Sequence, residues 1–140
     1  TGTKIYSGAA AAGKRVQCLT EAKNHALLLE DAPLEWSAQR VINSCFGCAG
    51  QRCMALPVVV VQESVADRFV QILKGMGERL VVGAAYDPDT QLGPVINAAH
   101  KRSVIEWIDK GVAEGASLVL DGRACAPKGF ENGYFVGPTI

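Results

Sequence analysis

Short apolar runs alternate with longer amphipathic segments along this chain, and that alternation is the strongest constraint on its fold. The run "HALLL" (25–29) is short, continuous and closed by an acidic turn, and "MALPVVVVQ" (54–62) is rich in β-branched residues. Each is followed by a stretch whose apolar residues recur at helical spacing, at 33–46 and 64–76. This order predicts an α/β layered fold with a mainly parallel sheet, buried on both faces and flanked by helices.

Other segments add helices and shorter strands. Residues 2–12 predict a weak helix that ends at Gly13, and a long helix is expected from about Asn97. We expect Pro33 in the first turn of one helix and Ser64 as the cap of another. The remaining segments are interpreted as two strands, "KRVQCLT" (14–20) and "SLVLDG" (117–122), and a loop, "GAAYDPDTQLGPVI" (83–96).

Charge and composition exclude several classes of function. The 140 residues carry 14 Lys and Arg against 14 Asp and Glu, so the chain has no net field to hold nucleic acid or an anionic membrane surface. The longest apolar stretch, 55–61, is far shorter than the roughly 20 residues that span a bilayer. Five cysteines, an odd number, favour reduced thiols in a reducing compartment such as the bacterial cytoplasm or the mitochondrial matrix.

The cysteine cluster "CFGCAGQRC" (45–53) raises the possibility of a metal site, which its spacing argues against. A structural zinc site takes four ligands in closely spaced pairs, and Cys45 and Cys48 supply only one such pair. The other cysteines and the two histidines stand at irregular distances: Cys18, Cys53, Cys125, His25 and His100. The sequence therefore predicts no metal site, and we interpret Cys45 and Cys48 as packed thiols.

Cys53 has a different setting. Gly47 and Gly50 free the backbone before it, Arg52 is its neighbour, and a predicted buried strand follows directly. A thiol at such a junction can be exposed in a cleft, with its thiolate favoured by the cation and its own backbone N–H open to an oxyanion. From the residues alone, a nucleophile and a packed thiol both remain open.

Four segments in order carry a resemblance to a known family. They are "AKNHALLLEDA" (22–32), "GQRCMA" (50–55), "LGPVI" (92–96) and "KGFENGYFVGPTI" (128–140). Together they resemble the aldehyde dehydrogenase family, in particular the branch of CoA-acylating methylmalonate-semialdehyde dehydrogenases. The resemblance implies a three-layer α/β fold, with residues 1–22 as the C-terminal end of the NAD-binding domain and 23–140 as part of the catalytic domain. It also implies that the chain is part of a longer protein that forms homodimers or homotetramers. This part alone would be inactive.

The same resemblance implies a reaction. Cys53 would attack the carbonyl carbon of methylmalonate or malonate semialdehyde, and the Cys53 backbone N–H and a side-chain amide from elsewhere would hold the resulting alkoxide. NAD would accept the hydride, leaving a thioester on Cys53. Coenzyme A, the co-substrate, would then collect the acyl group, with loss of carbon dioxide. A hydrolytic aldehyde dehydrogenase and a catalytically inactive structural relative are the alternatives.

Four further positions follow from the resemblance. Hydrolytic members carry a glutamate base four residues before the lysine that matches Lys23, and Leu19 occupies that place here. Thr20 is either a cofactor-binding residue of the nicotinamide pocket or an ordinary strand threonine. Arg52 either binds the substrate carboxylate or is a surface arginine. Glu21, where the branch usually has Gly, is either a substitute base or a solvated or salt-bridged residue at a strand end.

Overall fold

The computed structural model describes residues 1–140 as four α-helices and two strands. In chain order the elements are α1 (Gly2–Ala11), β1 (His25–Leu28), α2 (Leu34–Phe46), a 3-10 turn (Gly47–Gly50), β2 (Val58–Val61), α3 (Glu63–Glu78) and α4 (Ala98–Ala113). The predicted helices and the two apolar strands are all present. None of the helices combines the length and apolar character needed to cross a membrane.

The two strands form a parallel sheet. His25 pairs with Val58 and Leu28 with Val61, and α2 connects the strands, so residues 25–61 make one strand–helix–strand unit. The predicted α/β class and parallel pairing are confirmed. The expectation that the sheet is buried on both faces is wrong for this chain. Leu27 and Val60 are paired on one face and are 69% and 51% exposed, because no other element of the chain covers that face.

The main core lies between the other face of this sheet and two helices. It contains six buried side chains from β1, α2 and α3: Leu28, Leu34, Ala38, Ile42, Phe69 and Leu73. The three from α2 are spaced four residues apart, which places them on one helix face. Phe69 is fully buried in this cluster. Pro33 precedes α2 at its N-cap, one position before the first turn where it was expected.

Both strands predicted outside this unit are absent. Residues 14–24 have no regular structure; Leu19 is 77% exposed and Thr20 has a φ of +60°, which an extended strand does not allow. Residues 117–122 form no regular strand either, although Leu120 and Ile140 exchange backbone hydrogen bonds at 3.0 and 3.1 Å. A strand needs a neighbour along its whole length; residues 14–20 have none in this chain, and residues 117–122 have one only over 119–122, against residues 137–140.

Apart from Pro33, the helix ends follow the predictions except at Ser64. The backbone after α1 turns at Gly13 with a φ of +66°, and the Asn97 side chain caps α4 by accepting a hydrogen bond from the backbone N–H of His100 at 2.9 Å. Ser64 does not cap α3. It lies inside the helix, where its Oγ donates to Glu30 at 3.0 Å, because the extended backbone continues to Gln62, the residue at the N-cap.

Candidate active site

One cavity of about 550 Å³ brings together the residues singled out in the sequence. It is lined by seven consecutive or near-consecutive positions from two segments: Leu19, Thr20, Glu21, Ala22, Gln51, Arg52 and Cys53. The irregular segment before β1 forms one wall, and the turn between α2 and β2 forms the other. Cys53, the predicted nucleophile, therefore shares a cavity with the other predicted site residues, Thr20 and Arg52. Leu19 and Glu21, the two positions that bear on a hydrolytic base, line the same cavity.

Cys53 stands on a turn with two free groups. The turn is closed by the backbone N–H of Ala55, which donates to the carbonyl of Arg52 at 3.1 Å. The thiol is exposed, and the Cys53 backbone N–H donates to no acceptor within the chain. The sequence predicts a strand directly after Cys53, but β2 begins five residues later, at Val58. Both the sulfur and the N–H are thus open to a substrate carbonyl, the arrangement that an attacking thiolate and an oxyanion require.

Asn24 holds this turn in place, a role that sequence reasoning missed. Its Nδ2 donates to the carbonyl of Cys53 at 2.8 Å and to the carbonyl of Ala55 at 2.7 Å. On the other side, Ser44 Oγ donates to the carbonyl of Met54 at 3.2 Å. The one available signal for Asn24 was its place in the "AKNH" segment, because the contact joins residues that are 29 and 31 positions apart.

Gln51 ties the same turn to a third part of the chain. Its Oε1 accepts a hydrogen bond from the backbone N–H of Ile96 at 2.9 Å, and its Nε2 donates to the carbonyl of Cys48 at 3.3 Å. The "LGPVI" segment is thereby attached to the cysteine-bearing turn. Three separate stretches of sequence, around residues 24, 51 and 96, therefore fix the position of one thiol.

Arg52 has a structural contact and free donors. Its Nη2 donates to the carbonyls of Asn43 and Ser44, at 2.8 and 3.1 Å, and so satisfies acceptors in the last turn of α2. The guanidinium lies so close to Gly47 that a Cβ there would stand 2.7 Å from Nη2. Its Nη1 and Nε have no acceptor within the chain, and they are the groups that remain for a carboxylate in the cavity.

Thr20 adopts an uncommon backbone conformation beside the cavity. Its φ is +60°, and the N–H of Glu21 donates to the carbonyl of Leu19 at 2.8 Å, which closes a three-residue γ-turn around Thr20. The Thr20 side chain packs on Gly2, where a Cβ would lie 1.9 Å from Thr20 Cγ2. Because of this close approach, the N-terminus of α1 lies next to one wall of the cavity.

The other thiols have different surroundings. Cys45 is half-buried, and its burial raises the pKa of the thiol, which agrees with the interpretation of a packed cysteine. Cys48 is exposed, so its interpretation as a packed thiol is wrong. It lies beyond α2 at the start of a left-handed turn, in which Cys48, Ala49 and Gly50 have φ values of +54°, +52° and +70°. No three His, Cys, Asp or Glu side chains come close enough to hold a metal ion.

Comparison with known proteins supports the resemblance over the whole chain. The aldehyde dehydrogenase family model matches residues 1–140. Malonate-semialdehyde dehydrogenase 2 from Geobacillus kaustophilus is 47% identical over 139 residues, which cover 99% of this chain and 28% of that protein.

Solved structures agree. A Sinorhizobium meliloti protein complexed with NAD, assigned as a methylmalonate-semialdehyde dehydrogenase, superposes with a TM-score of 0.92 at 39% identity, over 99% of this chain and 28% of its own. Methylmalonate-semialdehyde dehydrogenase from Oceanimonas doudoroffii gives a TM-score of 0.91, also at 39% identity and with the same coverage of both chains.

These matches confirm the predicted fold and set the extent of the likeness. The parallel strand–helix–strand unit and its flanking helices correspond to part of the aldehyde dehydrogenase fold. The chain spans about 28% of the length of the relatives it matches. A family match over every residue, together with this structural agreement, shows that the chain belongs to the aldehyde dehydrogenase family.

Proposed function

We propose that the protein carrying this chain is an NAD-dependent, CoA-acylating dehydrogenase of methylmalonate or malonate semialdehyde. The observation that carries the proposal is the placement of Cys53. Its thiol is exposed on a hydrogen-bonded turn, its backbone N–H is free, and it lines a cavity that Leu19 also lines. Leu19 occupies the position of the hydrolytic base in the family resemblance, and an alkyl side chain cannot take a proton from water. The names of the relatives fit the same substrate class.

The reaction assigned to this site begins on the sulfur. The Cys53 thiolate attacks the aldehyde carbon, and the Cys53 backbone N–H donates to the oxygen that becomes negative. Asn24 and Gln51 contribute by holding the turn, so that sulfur and N–H keep a fixed relation. After oxidation the acyl group remains on Cys53 as a thioester. The thiol of coenzyme A then displaces it to give acyl-CoA, and carbon dioxide is lost from the substrate.

The residues around Thr20 fit a bound NAD. The Gly2–Thr20 contact holds α1 against one wall of the cavity, and Thr20 lines the cavity together with Cys53. Thr20 would contact the nicotinamide, and NAD when bound would supply the hydride acceptor.

Arg52 would bind the carboxylate of the semialdehyde. Its side chain is exposed and lines the cavity, and its Nη1 and Nε donors remain free to reach a carboxylate. The bonds from Nη2 to the end of α2 restrict the guanidinium, which lowers the entropy lost when a carboxylate binds.

We also infer a division of the chain between two domains. Residues 1–22 would be the end of the NAD-binding domain, since α1 has no buried residue and its close contact, between Gly2 and Thr20, lies within this segment. Residues 23–140 would belong to the catalytic domain, because the main core begins at Leu28. Assembly into homodimers or homotetramers belongs to the same proposal.

The test is product analysis with the full-length protein. With malonate semialdehyde, NAD and saturating coenzyme A, we expect acyl-CoA as the main product, detected by mass spectrometry, and NADH in equal amount. Cys53→Ala should abolish both, while Cys48→Ala, which alters the other exposed thiol of the same loop, should preserve them. Free acid as the main product at saturating coenzyme A would refute the acylating reaction, and NADH formation by Cys53→Ala would refute the nucleophile.

A further inference from the structure

Glu21 is an unpaired carboxylate in the wall of the Cys53 cavity. None of the five salt bridges of the chain includes it, and its side chain makes no hydrogen bond. It does not lie at a strand end, because residues 14–24 are irregular. The structure therefore gives this carboxylate no structural partner, and both of its oxygen atoms are free as acceptors in the cavity that Cys53 also lines.

Two observations fix the wall that carries Glu21 relative to the thiol. The γ-turn around Thr20 separates the side chains of Leu19 and Glu21, although both line the cavity. Three residues further on, Asn24 is bonded to the carbonyl of Cys53 itself at 2.8 Å. The segment with the carboxylate and the turn with the thiol are thus parts of one hydrogen-bonded arrangement.

The cavity has room for the chemistry that such a pair can perform. Its volume of about 550 Å³ falls within the range of small-molecule sites, so a short acyl group on Cys53 leaves space for water. Arg52 is the other charged residue of the lining, and it stands on the thiol side of the cavity. Leu19 cannot act as a base, and Glu21 is the one carboxylate among the lining residues.

We propose that Glu21 is a general base that activates water against the thioester on Cys53, so that the protein releases free acid in competition with acyl-CoA. Glu21 takes a proton from water while the water oxygen bonds to the acyl carbon. The tetrahedral adduct then collapses, the C–S bond breaks, and the thiolate of Cys53 departs with the bonding electrons. The products are a carboxylic acid and the free enzyme, and no oxidation or reduction occurs in this step. The proposal rests on the thioester of the proposed function, but not on coenzyme A.

An activated ester separates this step from aldehyde oxidation. Incubating the full-length protein with p-nitrophenyl acetate acylates Cys53 directly, giving a burst of nitrophenol followed by a steady rate set by hydrolysis of the thioester. Glu21→Gln keeps the size of the side chain and removes the base, and Glu21→Gly is a second variant. Glu106→Gln is the matched control, since Glu106 is an exposed glutamate on α4 that is also unpaired and lies outside the cavity.

We expect both Glu21 variants to retain the burst and to lose at least about tenfold of the steady rate, at the low end of what a general base contributes. Glu106→Gln should match the unaltered protein. A steady rate within twofold of the unaltered protein in both Glu21 variants would overturn the proposal. So would a burst that slows as much as the steady rate, since it would mean that Glu21 affects the thiol and not the water.

Products formed from the aldehyde distinguish this inference from the proposed function. With malonate semialdehyde and NAD, the ratio of free acid to acyl-CoA should fall as coenzyme A rises, and it should be lower in Glu21→Gln at every concentration. If acyl-CoA forms and the ratio is unchanged in that variant, the role of Glu21 is wrong and the acylating function stands. If free acid alone forms and Glu21→Gln slows it, the acylating function is wrong and the base stands.

Discussion

Asn24→Ala tests whether one amide side chain holds the Cys53 turn in position. The substitution removes donors to the carbonyls of Cys53 and Ala55, which lie 2.8 and 2.7 Å from Nδ2. The bond to Cys53 is exposed, so water can replace it and its loss costs about 0.5 kcal/mol, whereas the part-buried bond to Ala55 costs about 1.5 kcal/mol. The turn should therefore open more easily by about 2 kcal/mol.

Amide hydrogen exchange measures this local opening. When exchange is limited by the opening equilibrium, about 2 kcal/mol corresponds to roughly 30-fold faster exchange, since each 1.4 kcal/mol is a factor of about ten. The reporter is the N–H of Ala55, which donates to the carbonyl of Arg52. Gln39→Ala is the control, because it removes an exposed side-chain bond to Asn43 on the surface of α2 and should leave the turn unchanged.

The result that refutes the reasoning is equally specific. If Ala55 exchanges at the same rate in Asn24→Ala and in the unaltered protein, other contacts, such as the bond from Ser44 to Met54, hold the turn. If α3 exchanges faster by the same factor, the substitution has destabilised the whole fold and Asn24 has no specific role at the site.

Two further predictions concern the core and the substrate. Phe69→Ala should lower the free energy of unfolding by about 3–5 kcal/mol because Phe69 is fully buried. Val60→Ala, at a half-exposed position, should lower it by less than about 1 kcal/mol. Equal urea midpoints for the two variants would contradict this. Arg52→Lys should raise KM for malonate semialdehyde about tenfold or more by replacing the guanidinium and its free Nη1 and Nε donors with an ammonium group, and should leave KM for propanal unchanged. A parallel rise for both aldehydes would indicate that Arg52 acts only on the end of α2.

The sequence predicted best what depends on local periodicity. The helical spacing of Leu34, Ala38 and Ile42 identified α2, and the valine run identified β2, because both patterns are set within a few residues. The segment 14–20 alternates like a strand, yet a strand forms only where a partner supplies hydrogen bonds, and no neighbour in this chain does so.

For the site, too, local motifs could be predicted from the sequence and contacts across the fold could not. Cys53, Arg52 and Thr20 could be selected because short motifs carry them, and the structure places all three around one cavity. Asn24 could not be selected by pattern, since its importance arises from two contacts across the fold. The free carboxylate of Glu21 was equally hidden, because absence of an ion-pair partner is a property of surroundings that are distant in sequence.

The left-handed turn at Cys48, Ala49 and Gly50 limits how the loop before Cys53 can vary in sequence. Three successive residues with positive φ strongly disfavour β-branched side chains, and a residue other than Gly, Asn or Asp adds conformational energy of about 1–2 kcal/mol at each position. Among random substitutions at positions 48–50, those that tolerate a positive φ should therefore be the ones that preserve the fold. In the irregular wall at 19–22 only Thr20 has a positive φ, so libraries intended to change the lining of the cavity should be directed to Leu19, Glu21 and Ala22.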